Sequence, residues 1–231
     1  MDCVEYECYF LKEEELALLL AGLGIPKLYG LFSERRLSQL TKEETNRIMV
    51  GLYQKGLIDW KGQEVIVRRP LSDMLTIFMH SRQCITVYST LERKAVRCCY
   101  AADHQVVMVE KSQREKGTLR LSQFSKTEWI RQIRELADIS ESVLEPKENS
   151  DAPIIKKWLQ EPLDYLENEE VHLVLSIGNS RTAEEYRRLI IQESGLYTYI
   201  ILQKKDSCRV ELYQRELFGD ILEDWEKEEQ I

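Results

Sequence analysis

The sequence predicts an α+β fold: an antiparallel sheet, built as a meander plus a hairpin and flanked by helices, in two loosely similar halves. Three observations carry that expectation. Apolar residues recur at helical spacing behind helix-start signals, the apolar period falls to two between Cys84 and Ser122, and the order helix, strands, helix occurs twice in 231 residues.

A short strand is expected over Val4 to Phe10. Glu13-Glu14-Glu15 then opens a helix whose Leu16, Leu19, Leu20 and Leu23 follow helical spacing, ending near Gly22 and Gly24 ahead of Pro26. Thr41-Lys42-Glu43-Glu44 is a capping box, in which hydroxyl and carboxylate each satisfy a first-turn N–H. It precedes Ile48, Met49 and Leu52, and Gly56 supplies the stop. Val65-Ile66-Val67 reads as a strand. Pro70, tolerated in a first turn, starts a helix with Leu71, Met74, Leu75, Phe78 and Met79.

The alternating stretch divides near Glu92, Asp103 and Gly117 into four strands. A second capping box, Ser125 to Glu128, precedes the apolar face Trp129, Ile130, Ile133 and Leu136. Residues 141–153, with Pro146 and Pro153 among polar neighbours, have linker composition. They separate an N-terminal subdomain, 1–140, from a smaller C-terminal one, 154–231. In the latter, Ile155, Trp158 and Leu159 predict a helix, and Val171 to Ile177 a strand. Thr182-Ala183-Glu184-Glu185 predicts a capped helix carrying Tyr186, Leu189 and Ile190 and ending at Gly195. Leu196 to Gln203 and Cys208 to Gln214 predict a hairpin, and Leu217, Ile221, Leu222 and Trp225 a last helix before an acidic tail.

Composition narrows the function classes. A chain with 43% hydrophobic and 31% charged residues can offset its conformational entropy and fold. A net charge of −8 disfavours nucleic acid, whose binding needs clustered cations to neutralise phosphates. Met1 to Glu5 lacks the basic start of a signal peptide, and no apolar run approaches the ~18 residues of a membrane span. A cytoplasmic location without membrane insertion is therefore expected, and the six cysteines, without C-x-x-C spacing, are expected to be packed thiols.

No catalytic motif names a reaction, so a non-enzymatic binding role without cofactor or metal is expected. Cys98, Cys99 and His104 lie close in sequence, but strand geometry lets only one of the two cysteines share a face with a given neighbour. Gly178-Asn179-Ser180, between a strand and an expected helix, occupies the position of an anion-binding turn without its glycines or lysine. His80 and His172 stand alone. Residues 33–67 read as helix, turn, helix and wing. Arg35, Arg36, Arg47, Lys55, Lys61, Arg68 and Arg69 would meet phosphates if they shared a face, and Asn46 and Arg47 would reach base edges, while Glu43 and Glu44 would repel DNA from the first turn. Tyr197 and Tyr199, on one side of a strand, with Tyr88 and Tyr100, are the candidate lining of a partner-binding groove.

The first ~140 residues resemble the EspG-like chaperones of type VII (ESX) secretion. The resembling parts are the Leu-rich helix Leu16 to Leu23, the helix ending Gly56-Leu57-Ile58, and Val65-Ile66-Val67. They continue with Arg68-Arg69-Pro70-Leu71 and the meander closing Thr118-Leu119-Arg120-Leu121. The resemblance implies an α+β fold in two related halves and a cytosolic chaperone or adaptor whose partners are secreted helical-hairpin proteins. The alternative is a winged-helix DNA-binding transcriptional regulator; a homodimer is compatible with either. An exposed apolar patch away from Arg35, Arg47 and Arg68 would favour the chaperone, and a surface gathering those arginines the regulator.

Overall fold

A computed structural model describes residues 8–25, 28, 40–89, 96–112, 115–137, 170–182, 185–194, 197–204 and 207–224. The chain is α+β. Backbone pairing orders nine strands β1-β7-β6-β5-β4-β8-β9-β10-β11, and β2 and β3 form a separate two-stranded sheet. Strands β4 (Gln83–Ser89), β5 (Val96–Ala102), β6 (Gln105–Lys111) and β7 (Thr118–Ser125) are followed by helix α4 (Lys126–Ala137). Strands β8 (Val171–Asn179), β9 (Glu185–Ser194), β10 (Tyr197–Lys204) and β11 (Ser207–Leu212) are followed by α5 (Arg215–Asp224). Four strands and a helix thus occur twice in chain order.

Contacts divide the chain into two compact units, one comprising Met1–Cys84, Arg97–Ser125 and Asn179–Glu184, the other Ile85–Val96, Lys126–Gly178 and Glu185–Ile231. The expected linker, 141–153, and the helix around Trp158 lie outside the described residues, as do Glu92 and Trp225.

In the first unit, β1 (Cys8–Lys12) pairs antiparallel with β7 and runs directly into α1 (Glu13–Gly22). The described strand runs two residues past Phe10, and Leu11 is its buried residue, opposite Leu119; the expected start, Val4 to Glu7, lies outside the described residues. Helix α1 buries Leu16, Leu19 and Leu20, while Leu23 falls beyond its end and is exposed. Helix α2 (Lys42–Gln54) has the expected capping box: the Glu44 amide donates to Thr41 Oγ1 at 3.2 Å, and the Thr41 amide to Glu44 Oε2 at 2.8 Å. Gly56 ends it at φ 69°, a conformation that side chains resist.

Strands β2 (Ile58–Lys61) and β3 (Glu64–Val67) pair antiparallel around Gly62, also at positive φ. Helix α3 (Leu71–His80) buries Leu71, Met74, Leu75, Ile77 and Phe78, leaving Met79 exposed. These residues share one core with Leu11, Leu16, Leu52, Tyr100, Val107, Val109 and Leu121.

The second unit corrects the sequence reading at one element. The segment expected to be a capped helix behind Thr182 is β9, paired antiparallel with β8 and β10. Leu189 and Ile190 do fall at helical spacing after Tyr186, but Leu189, Ile190, Ile191 and Gln192 are all buried in succession. A strand covered on both faces has such a continuous run, and its β-branched residues favour extended backbone. The segment around Gly195 lies outside the described residues.

The α4 face buries Trp129, Ile130 and Ile133, with Leu136 half-buried. Gly219 in α5 faces the Arg134 side chain of α4 so closely that an added Cβ would lie 1.3 Å from Nη2. The Arg134 guanidinium therefore takes the space that a side chain at position 219 would need.

Candidate functional site

Five of the nine exposed large apolar side chains among the described residues fall on α2 and the β2–β3 hairpin. Val50 and Tyr53 lie one turn apart on the outer side of α2, because the inner side is used by Leu52, fully buried, and by half-buried Ile48 and Met49. Trp60 and Val65 are cross-strand partners, hence on one face of the hairpin; Ile66, opposite Asp59, is on the other. Val50, Tyr53 and Trp60 are 52, 52 and 51% exposed. Single exposed apolar residues are ordinary, but five within 17 positions of one helix and one hairpin mark a surface suited to a protein partner.

Two cations of this module, Lys55 and Arg68, are tied to acids by hydrogen bonds. Arg68 donates from Nε to Asp59 Oδ2 at 2.5 Å and from Nη2 to Oδ1 at 2.7 Å. That hydrogen bond holds Asp59 below the usual carboxylate range and raises Arg68, which Tyr53 raises further. Lys55 donates to both carboxylate oxygens of Glu15, at 2.8 and 2.7 Å, joining α2 to α1. Glu15 is buried and also accepts from the Lys12 amide, so its remaining lone pairs are satisfied as burial of a charge demands. Arg69 stands 3.5 Å from Asp73. Arg47, Lys61 and Asn46 are exposed, and Arg35 and Arg36 lie outside the described residues.

The apolar side chains are not set apart from the arginines, as the chaperone expectation required, since Arg68 holds Asp59, the cross-strand partner of Ile66. Nor do the cations gather freely, as a phosphate-binding surface requires. Two of the cations in that segment, Lys55 and Arg68, already hold carboxylates by hydrogen bonds.

The aromatic groove expected from sequence corrects to interior packing. Tyr100 is fully buried, its ring 4.9 Å from Phe78. Tyr88 and Tyr199 are buried in one core with Val171, Val174, Ile190 and Ile201. Tyr197, half-buried, packs against that core, its ring 6.2 Å from Tyr199, so the two do share a side of β10. Alternation places rings on a face but does not tell a covered face from an open one, and Tyr88, Tyr100 and Tyr199 lie on covered faces.

The remaining constellations do not assemble. Cys98 and Cys99 are buried on β5, whereas His104 is in the exposed two-residue turn after Ala102. The neighbours of Cys98 are instead Cys84 and Tyr100: its hydrogen bond with Cys84 lowers the Cys98 thiol and, with burial, raises that of Cys84. Tyr100 is raised, chiefly by burial. Asn179 Oδ1 accepts from the amides of Arg181 at 2.8 Å and Thr182 at 3.1 Å, so the turn after β8 spends its N–H groups on its own side chain rather than on an anion. Its Ser180 hydroxyl donates to the Ser81 carbonyl, and Arg181 Nη2 to the carbonyl of Phe78 at the end of α3. Burial lowers Arg181. His80 is exposed, and His172 Nε2 lies 3.3 Å from Glu193. Among the described residues no three His, Cys, Asp or Glu side chains are placed to hold a metal ion, and no helix is long and apolar enough to cross a membrane. No family model matches the chain, and no curated protein matches it.

Proposed function

We propose that this chain is a non-enzymatic binding protein, a cytosolic chaperone or adaptor that covers an apolar face of a helical substrate of a type VII-like secretion system. The observation that carries this reading is the concentration of exposed apolar side chains on α2 and the β2–β3 hairpin, Val50, Tyr53, Trp60, Val65 and Ile66. An amphipathic helix offers apolar residues at i, i+3, i+4 and i+7, and such a stripe is matched by a surface with aromatic anchors and a charged rim. Asp59 and Arg68, already neutralised by each other, supply such a rim without a strong field.

A second reading, a winged-helix regulator, is favoured by one observation: α2 is followed at once by a two-stranded hairpin. Against it stand the acids Glu43 and Glu44 in the first turn of α2 and the carboxylates that hold Lys55 and Arg68.

The test is affinity capture from native cytosol at low and moderate salt, with the wild-type protein and with a Tyr53→Ala, Trp60→Ala, Ile66→Ala variant. The proposal expects a small helical secreted protein retained at both salts by the wild type and lost by the variant. Capture of DNA that is released as salt rises replaces it with the regulator.

A further inference from the structure

We infer that β11 is the surface through which two copies of this chain pair edge to edge, antiparallel about a two-fold axis at Val210. Strand β11 closes one end of the nine-stranded sheet, with β10 as its one neighbour among the described residues. Its pairing with β10 runs in unbroken register from Tyr199 and Leu212 to Lys204 and Ser207. The Tyr213 amide donates to the Thr198 carbonyl at 2.8 Å, which continues that register by one position. Hydrogen-bonded positions alternate along an antiparallel pair. Ser207, Arg209, Glu211 and Tyr213 therefore bond towards β10, and the amides and carbonyls of Cys208, Val210 and Leu212 point outward. Edge strands that stay single are blunted by a proline, a bulge or a lysine. Strand β11, Ser-Cys-Arg-Val-Glu-Leu in unbroken register, has none of the three.

The partner is identified as a second copy because the strand is complementary to itself. Turned about Val210, it sets Val210 opposite Val210 of the second copy and Cys208 opposite Leu212 of the second copy, and these pairs satisfy every outward amide and carbonyl on both strands. Arg209 then stands opposite Glu211 of the second copy, at the positions where side chains of an antiparallel pair come closest. Within one chain Arg209 and Glu211 already form an ion pair, so the dimer joins two such pairs into a ring of alternating charge. Moving the axis to either neighbouring residue would put arginine against arginine or glutamate against glutamate. Charge therefore fixes the register. On the other face Cys208, Val210 and Leu212 are half-buried against the core around Tyr199 and Ile201, and each gains an apolar neighbour across the axis. Half-buried Leu217 and Ile221 of α5 line one cavity with Arg209 and Glu211 and widen the apolar surface that a second copy covers. A contact of this two-fold kind closes at two copies. Its residues belong to the second unit, whereas the α2 and hairpin surface belongs to the first, so either contact stands without the other.

The test is sedimentation equilibrium of the full chain from about 1 to 100 µM, with the melting temperature as a control for folding. The wild type is expected to dimerise with a dissociation constant below about 50 µM. Val210→Pro removes an outward amide, a loss that an edge strand tolerates, and is expected to leave a monomer. Arg209→Glu and Glu211→Arg each oppose like charges and are expected to weaken self-association at least about tenfold. Mixed in equal amounts, these two variants are expected to associate with each other, and the double swap Arg209→Glu, Glu211→Arg to self-associate again. Should Val210→Pro prove unstable, the mixing experiment decides by itself. A wild type that stays monomeric at about 100 µM overturns the inference and leaves the edge to an extended segment of another protein. A dimer indifferent to the proline and charge variants, or a mixture of the charge variants that stays monomeric, overturns it as well.

Discussion

The α2 and β2–β3 module and the strands β8 to β10 use similar residues in opposite ways. In β8, β9 and β10 consecutive apolar residues are buried, Leu173 to Leu175, Leu189 to Ile191 and Tyr199 to Ile201. In the hairpin, Trp60, Val65 and Ile66 are exposed although both strands are as rich in β-branched and aromatic residues. The cause is the number of partners. Strands β9 and β10 each have two neighbours in the nine-stranded sheet, while β2 and β3 have only each other, and a lone two-stranded hairpin has too little surface to enclose its own side chains. Burial in the one region accounts for its apolar residues through stability. In the other it does not, so those residues are open to an account through binding.

The tyrosines give the sharpest break. Tyr199→Ala removes a buried ring and is expected to cost about 3 kcal/mol or more, read as a lowered urea midpoint; Tyr53→Ala, half-exposed, is expected to stay within about 0.5 kcal/mol. Equal effects would abolish the distinction between the regions. Ile191→Ala is next, at about 2–4 kcal/mol, and a smaller loss would mean that β9 is less enclosed than its burial implies.

A middle-sized effect concerns α5. Gly219→Ala gains about 1 kcal/mol of intrinsic helix stability but displaces the Arg134 guanidinium. It is expected to stabilise an Arg134→Ala background more than the wild type, a difference that a double-mutant cycle in urea reads directly. Thr41→Ala is expected to cost about 1 kcal/mol through loss of the α2 cap.

The smallest effect is that of pH. Glu44 is lowered by hydrogen bonds from the Thr41 backbone and side chain, and Asp59 by Arg68. A carboxylate held low in the folded state contributes stability above its unfolded value and loses it as pH falls through the folded one. Stability should thus decline on acidification below the ordinary values of 4.5 and 3.8. Glu44→Gln with Asp59→Asn should shallow that slope, measured as the urea midpoint against pH.

What the sequence made legible was local. The Thr41 and Glu44 capping box, the breaks at Asp103 and Gly117 and the hairpin of β10 and β11 are each specified by residues a few positions apart, and each is present. Where both faces of a strand are covered, local pattern fails, because the period of two is erased. That hid β9 behind a helical spacing and turned Tyr88, Tyr100 and Tyr199 from groove to core. The candidate surface was half legible. Residues 33–67 were singled out for their cations, yet Val50, Tyr53 and Trp60 carry its exposed apolar area, and Glu15, forty residues before Lys55, takes up one of those cations.

The turn at Asn179 has a consequence for how the chain is made. Asn179–Glu184 belongs to the first unit, where Ser180 and Arg181 hydrogen-bond to carbonyls of Ser81 and Phe78 about a hundred positions earlier. A ribosome must therefore deliver more than three quarters of the sequence before the first unit can complete its contacts, and pairings so distant close slowly. Neither unit can be released as a single uninterrupted fragment by one proteolytic cut, and nascent chains halted before Ser180 should expose the end of α3 to chaperones and proteases.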